Sequence, residues 1–112
     1  MTRAVPERGT PYGSLSPPQA AHEQAGRRPA LVLSPAAYNR KVGLVLLCPI
    51  TVRVKGYPFE VAMPPGLPVS GVVLSDQVKS LDWRARRAEI VGRVPQGVVR
   101  ETLQKLADLL LP

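Results

Sequence analysis

A long apolar run at residues 42–54 constrains the fold more than any other stretch of the chain. It is rich in β-branched residues, which favour strands over helices. Pro49 lies inside it, and a proline within a strand usually marks an edge or a bulge where side chains are re-aimed. We therefore predict a central strand interrupted at Pro49, with Thr51 directly after the irregularity.

Shorter segments around this run predict a mainly β fold. Residues 34–39 read as a turn or short helix and residues 39–43 as a loop. In residues 75–81, Val78 and Leu81 are the expected inward positions. The segments with strand character are 30–33, 57–63, 71–74, 75–81 and 86–94.

The last segment, residues 96–111, has helical periodicity. Its apolar stripe consists of Val99, Leu103, Leu106 and Leu110. Several short strands and one terminal helix predict a small, strongly bent sheet or barrel.

The charge balance indicates a polyanionic partner. The formal net charge is +7. Residues 27–93 hold eleven Lys/Arg and four Asp/Glu, a difference of seven, so this middle part carries the whole excess. Such a basic surface favours nucleic acid, although it is also compatible with a role in solubility alone.

Several kinds of site are disfavoured by composition. Cys48 is the single cysteine, which excludes an intrachain disulfide and fits a reducing cytoplasm. It lies in an apolar run, so we expect a buried thiol rather than a nucleophile. His22 is the only histidine, and no zinc site, other metal site or cofactor is expected. No apolar run approaches the ~18 residues of a membrane span.

Residues 23–34, EQAGRRPALVLS, form the segment with the strongest chemical signal. Gly26 permits an unusual turn, and Pro29 restricts Arg28 to extended conformations. Arg28 is therefore expected at the mouth of a buried strand. A guanidinium posed in this way suits a phosphate, because its fork of donors meets two oxygens at once.

These residues carry a resemblance to a known family, the MazF/PemK-type mRNA interferases, which are the toxins of bacterial toxin–antitoxin pairs. The matching blocks are EQAGRRPALVLSP, NRKVG, CPIT, KGYPFEV and SDQVKSLDWRAR, in this order. The resemblance covers residues 23–112. It implies an SH3-like barrel with a C-terminal helix, a cytoplasmic homodimer and an acidic antitoxin partner. It also implies metal-independent cleavage of single-stranded mRNA at short sequences, leaving a 2′,3′-cyclic phosphate and a 5′-hydroxyl.

The resemblance assigns catalytic places to Arg28 and Thr51. Arg28 suits stabilisation of a charged phosphorane, and the Thr51 hydroxyl can donate to a phosphoryl oxygen. The family precedent gives Arg28 proton transfer, yet arginine stays protonated, so Glu23 is kept as a candidate base or orienting group. The expected RNA-binding residues are Gln24, Arg27, Lys55, Tyr57, Phe59, Gln77, Lys79, Ser80, Arg84 and Arg86.

Plainer interpretations stay open for these residues. Thr51 is also an ordinary strand residue, Tyr57 and Phe59 are compatible with the core, and the basic side chains with a solvated face. At the level of function, the alternatives are a non-catalytic SH3-like module that binds nucleic acid, a relative that poisons a protein target, or an inactivated copy.

The inactivated copy is suggested by residues 1–22, an irregular and proline-rich segment that we expect to be disordered. The family normally begins with a strand of the form Gly-Asp-x-x-Trp, which is missing here. Inserting one base after the Gly9 codon, with suitable codons, yields GDPVWLTF, and deleting one base before Gln19 restores the frame. We therefore hypothesise a frameshift over residues 10–18, and expect no segment of residues 1–22 to pair in a sheet.

Overall fold

Among the described strands, β3 (Leu44–Thr51) is the longest; it is the centre of the sheet and pairs with three of the others. The computed structural model describes residues 5–12, 29–67, 69–85 and 92–111. The other strands in these ranges are β1 (Pro11–Tyr12), β2 (Ala30–Val32), β4 (Glu60–Ala62), β5 (Val72–Leu74) and β6 (Lys79–Asp82). The helices are α1 (Ala36–Val42) and α2 (Gln96–Leu110).

All of the described strand pairs are antiparallel, and the order along the sheet is β1-β2-β3-β5-β4. β6 also pairs with β3, opposite its first four residues, whereas β5 pairs with its last two. The mainly β class with a C-terminal helix is confirmed. Within the described ranges, the strands form an open, bent sheet rather than a closed barrel.

Pro49 lies inside β3 without breaking it, which corrects the expected interruption. The N–H of Ile50 donates to the carbonyl oxygen of Pro29 at 3.0 Å, on the β2 side of the strand. Backbone directions alternate along a strand, so the donor that Pro49 lacks faces the other side. There, pairing with β6 ends at Leu47 and pairing with β5 begins at Ile50. The missing N–H therefore falls in the gap between two neighbouring strands, where no ladder bond is lost.

Both faces of the β2–β3 pair are buried, because alternate residues of each strand enter different clusters. The first cluster lies between the sheet and α2 and comprises Leu31, Leu33, Cys48, Ile50, Val61, Val73, Val94, Val98 and Val99. The second comprises Ala30, Val32, Val45, Leu47 and Trp83.

Helix α2 packs on the first cluster through its N-terminal half. Val98, Val99 and Thr102 are buried, and Leu103 and Leu106 are partly buried against the cluster. Leu110, expected on the same stripe, is 70% exposed, so that part of the prediction was wrong. None of the described helices is long and apolar enough to cross a membrane.

Helix α1 continues through Val42, so the loop predicted at residues 39–43 was wrong. Gly43 ends the helix with φ 81°, a left-handed conformation that glycine adopts without a steric penalty. Asn39 is completely buried, and its side-chain amide donates to the carbonyl oxygens of Pro6 at 2.8 Å and Ser34 at 3.1 Å. It ties α1 to the N-terminal segment.

The segment before β6 also departs from expectation. Ser75 and Asp76 form a turn, and Val78, expected to face inward, is 40% exposed. Leu81 does pack against the second cluster, as predicted. The strand predicted at 86–94 falls mostly outside the described residues, and 92–95 have no regular structure.

The N-terminal segment corrects the expectation that nothing in residues 1–22 pairs in the sheet. β1 pairs with β2 at the edge of the described sheet. A proline is tolerated there because, among the described strands, none lies on the outer side of β1 to require a backbone N–H. The N–H of Gly9 donates to Val32 at 2.8 Å, and that of Val32 donates to Thr10 at 3.0 Å. Residues 13–22 lie outside the described residues, and the frameshift stays a prediction.

Candidate active site

Thr51 ends β3, next to the point where the sheet turns into a loop. Its backbone pairs with Val72 of β5, and its side chain is half-buried. The Thr51 Oγ1 accepts the N–H of Arg53 at 3.1 Å. This bond uses a lone pair, so the hydroxyl proton is left to donate outward. Thr51 is thus a held hydroxyl donor at the surface.

The described chain resumes at Pro29 on the neighbouring strand. Pro29 accepts the N–H of Ile50, the residue before Thr51, and Ala30 pairs with Pro49. Pro29, the residue that follows Arg28 in sequence, is therefore fixed beside the end of β3. Five predicted site residues lie outside the described residues: Glu23, Gln24, Arg27, Arg28 and Arg86.

The loop at residues 52–59, named here the Lys55 loop, joins β3 to β4 and carries three predicted RNA-binding residues. Lys55 is exposed, whereas Tyr57 and Phe59 are half-buried. The two rings pack at a centroid distance of 6.4 Å with an interplanar angle of 58°. The aromatic pair therefore combines an internal contact with partial exposure to solvent.

Tyr57 connects this loop to the turn between β5 and β6. Its hydroxyl donates to Asp76 Oδ1 at 2.8 Å. The hydrogen bond to Asp76 raises the pKa of Tyr57, with smaller contributions from burial and from the charge of Asp76. Gln77 is exposed in the same turn. Tyr57 and Gln77 therefore lie together, as the hypothesis of one binding surface requires.

Lys79 and Ser80 are exposed on β6, further along the sheet. They pair with Leu47 and Leu46 of β3. Leu47 precedes Thr51 by four positions along β3, which corresponds to about 13 Å. A few nucleotides of extended RNA cover such a distance, so these residues fit a flanking subsite rather than the reacting centre.

Arg84 lies at the opposite end of β3 from Thr51. Its guanidinium donates to the carbonyl oxygen of Arg40 at 2.6 Å, near the C-terminus of α1, and lies 5.1 Å from the Trp83 ring centroid. Asp82, two residues earlier, pairs with Leu44, seven residues and about 23 Å from Thr51. These contacts support a structural role for Arg84, while its contact with RNA stays a prediction.

Two acidic residues of this region, Glu60 and Asp76, were missed by the sequence reasoning. The Glu60 carboxylate accepts the backbone N–H groups of Lys55 at 2.8 Å and Gly56 at 2.9 Å. Asp76 accepts from Tyr57. They were missed because a carboxylate on a basic surface is unfavourable for binding RNA. Only their closeness in sequence to Lys55 and Gln77 could have indicated that they belong to this region.

Cys48 has the surroundings predicted for a structural thiol. It is completely buried in the first cluster. Burial, with a smaller effect from the charge of Asp76, raises the pKa of its thiol to about 12. A thiol with such a pKa is a poor nucleophile.

Known proteins share both the sequence and this fold. The chain is 49% identical over 94 residues to the endoribonuclease toxin MazF of Escherichia coli K12, with 84% of each chain covered. A crystal structure of MazF from Deinococcus radiodurans superposes with a TM-score of 0.85 at 57% identity, covering 96% of this chain and 97% of that one. A MazE-MazF complex from the same organism gives a TM-score of 0.83 at 50% identity, covering 96% and 97%.

The match to a family extends over nearly the whole chain. A profile of PemK-like, MazF-like toxins matches residues 12–110, which include β2 to β6, both helices and Thr51. The match therefore covers the candidate site as well as the scaffold. On these grounds, the chain belongs to the family of PemK-like, MazF-like toxins of type II toxin–antitoxin systems.

Proposed function

We propose that this chain is an endoribonuclease toxin that cleaves single-stranded mRNA at a short sequence, without a metal ion, and is neutralised by a cognate antitoxin. Family membership supports the class of activity, since the E. coli relative is named an endoribonuclease. The single observation that supports the site assignment is the bond between Ile50 N–H and the Pro29 carbonyl oxygen, because Pro29 follows Arg28 in sequence and Ile50 precedes Thr51.

The proposed reaction is an internal transesterification. The 2′-oxygen of one nucleotide attacks the adjacent phosphorus, so an O2′–P bond forms and the P–O5′ bond breaks. A base accepts the 2′-hydroxyl proton, and the departing 5′-oxygen receives a proton. The products are a 2′,3′-cyclic phosphate and a 5′-hydroxyl.

Two side chains have assigned parts in this reaction. Arg28 supplies positive charge and two parallel donors to the phosphorane oxygens, whose charge rises in the transition state. Thr51 donates its hydroxyl proton to one of these oxygens, and the hydrogen bond from Arg53 N–H to Thr51 Oγ1 holds the hydroxyl in position. Glu23 stays the candidate base on pKa grounds, since a carboxylate accepts a proton far more readily than arginine does.

The surface around Thr51 supports a single-stranded substrate. Lys55 offers a cation, and Tyr57 and Phe59 offer partly exposed rings, a combination suited to a phosphate backbone and stacked bases. The partner of the related MazF in the D. radiodurans complex is MazE. By analogy, we propose that an acidic segment of an antitoxin competes with RNA for this surface. We also propose that the toxin is a homodimer.

Cleavage of a long single-stranded RNA in EDTA tests the proposal. Discrete fragments with 2′,3′-cyclic phosphate ends are expected. Arg28→Ala should reduce cleavage by a factor of about 10²–10³, the usual effect of removing one transition-state donor. Thr51→Val should also reduce cleavage severely while leaving the circular dichroism spectrum unchanged. RNA binding without fragments would favour the non-catalytic module, and near-normal cleavage by Arg28→Ala would contradict the site assignment.

A further inference from the structure

Polar contacts hold the Lys55 loop in place at both of its halves. Its valines, Val52 and Val54, are 74% and 62% exposed. Lys105 of α2 donates to the carbonyl oxygen of Pro58 at 2.7 Å, and Tyr57 donates to Asp76. These two contacts attach the second half of the loop to the body of the protein.

The first half of the loop is held by Glu60. One carboxylate oxygen accepts the N–H of Lys55 at 2.8 Å, and the other accepts that of Gly56 at 2.9 Å. Hydrogen bonds to an ionised acceptor are stronger than neutral ones. Gly56 has φ 83°, so the chain reverses at this point in a conformation that other residues rarely adopt. Both oxygens of Glu60 therefore fix the backbone at the residue that carries the cation.

We propose that Glu60 is a positioning residue for RNA binding, which acts through Lys55. The proposal rests on the proposed function, because it assumes that the Lys55 loop contacts RNA. By closing the turn at Lys55 and Gly56, Glu60 fixes the backbone that carries the exposed Lys55 side chain, four residues after Thr51. Ordering the loop before binding reduces the conformational entropy that RNA binding would otherwise lose.

The sign of the effect separates this role from simple electrostatics. Glu60 carries a negative charge near a surface for a polyanion, so charge alone predicts that its neutralisation tightens RNA binding. If Glu60 positions the loop, neutralisation must weaken binding instead. Glu60→Gln is nearly isosteric, but its single amide oxygen can replace only one of the two carboxylate acceptors. Its NH₂ group then faces the other backbone N–H, donor against donor, so that hydrogen bond is lost.

The experiment measures KM and kcat for a fluorogenic RNA oligonucleotide containing the cleavage site mapped on long RNA. Glu60→Gln should raise KM about tenfold, the effect of losing roughly one charge-assisted hydrogen bond, and leave kcat within about twofold. Amide exchange at Lys55 and Gly56 should become faster. The matched control is Glu101→Gln, which removes the same charge from an exposed position on α2 and should not raise KM.

A double-mutant cycle identifies the residue through which Glu60 acts. In a Lys55→Ala background, Glu60→Gln should add little to KM, whereas independent roles would multiply the two effects. An unchanged or lower KM in Glu60→Gln, unchanged amide exchange, or multiplicative effects would each overturn the proposal.

A failure of the proposed function is distinguishable from a failure of this inference. Absence of cleavage by the unaltered protein would contradict the nuclease assignment. The affinity for a 2′-O-methyl RNA, which lacks the attacking hydroxyl, would then still decide whether Glu60→Gln weakens binding. Absence of any binding to that RNA by the unaltered protein would overturn both.

Discussion

Replacing Gly71 by alanine tests the close approach of two strands at the candidate catalytic residue. Gly71 precedes β5 and has φ 115°, which is unfavourable for any residue with a Cβ. A Cβ atom at this position would lie 2.1 Å from the Thr51 carbonyl oxygen and 2.8 Å from its carbonyl carbon. Both are backbone atoms, so the contact is relieved only by moving β5 away from the end of β3.

The expected loss of stability has two parts. The left-handed conformation costs an alanine ~1–2 kcal/mol, and the overpacking adds ~1–3 kcal/mol. Together they amount to about 2–5 kcal/mol of the ~5–15 kcal/mol that stabilises a typical domain. An unfolding entropy of ~2.1 cal/mol/K per residue gives about 0.24 kcal/mol/K for 112 residues, so the melting temperature should fall by roughly 8–20 °C.

Thermal unfolding followed by circular dichroism measures this change, with Gly66→Ala as the matched control. Gly66 has φ 89°, but a Cβ there meets nothing within 4 Å. The control therefore isolates the conformational cost and should lose only about 4–8 °C. Because the contact is with Thr51, cleavage by Gly71→Ala should also fall at temperatures where the variant is folded. Equal melting temperatures for the two variants would refute the reasoning.

Three further outcomes are expected. The affinity for the antitoxin should fall as the salt concentration rises, because the excess of seven positive charges lies in residues 27–93. An affinity that titration calorimetry finds independent of salt would instead indicate an apolar groove. Cys48 should resist alkylation by iodoacetamide until the protein unfolds. Its thiol pKa is about 12 instead of the ordinary 9.0, which leaves about 10³-fold less thiolate. Rapid alkylation of the native protein, detected by mass spectrometry, would contradict its burial. Resequencing should find one extra base near the Thr10 codon and one fewer before Gln19, and an unchanged reading would reject the frameshift.

The sequence by itself determined the family, the mainly β class and the terminal helix. These properties depend on residues near one another in the chain. The motif blocks are contiguous, and the run at residues 42–54, rich in β-branched residues, contains all of β3. The periodicity of residues 96–111 predicts α2 to within one residue. Thr51 was identified in the same way, by a short motif around Pro49.

The tertiary structure decided how each side chain is used, because that depends on contacts between distant residues. Asn39 was predicted to lie in a turn or short helix, and only the fold shows that its side chain bonds to Pro6, 33 residues away. Arg84 was predicted to contact RNA, and the fold adds that it lies at the opposite end of β3 from Thr51 with its guanidinium on the carbonyl oxygen of Arg40. Its contact with RNA stays a prediction.

The same reason explains the other differences. Leu110 has the correct helical spacing, but the core beneath α2 does not extend to it, so it stays exposed. Pro49 is tolerated only because β6 ends and β5 begins on either side of it. Glu60 fixes the Lys55 loop because its strand directly follows that loop, which brings the backbone N–H groups of Lys55 and Gly56 within reach of its carboxylate. Local pattern thus determined the elements, and the packing of the sheet determined which residues surround Thr51.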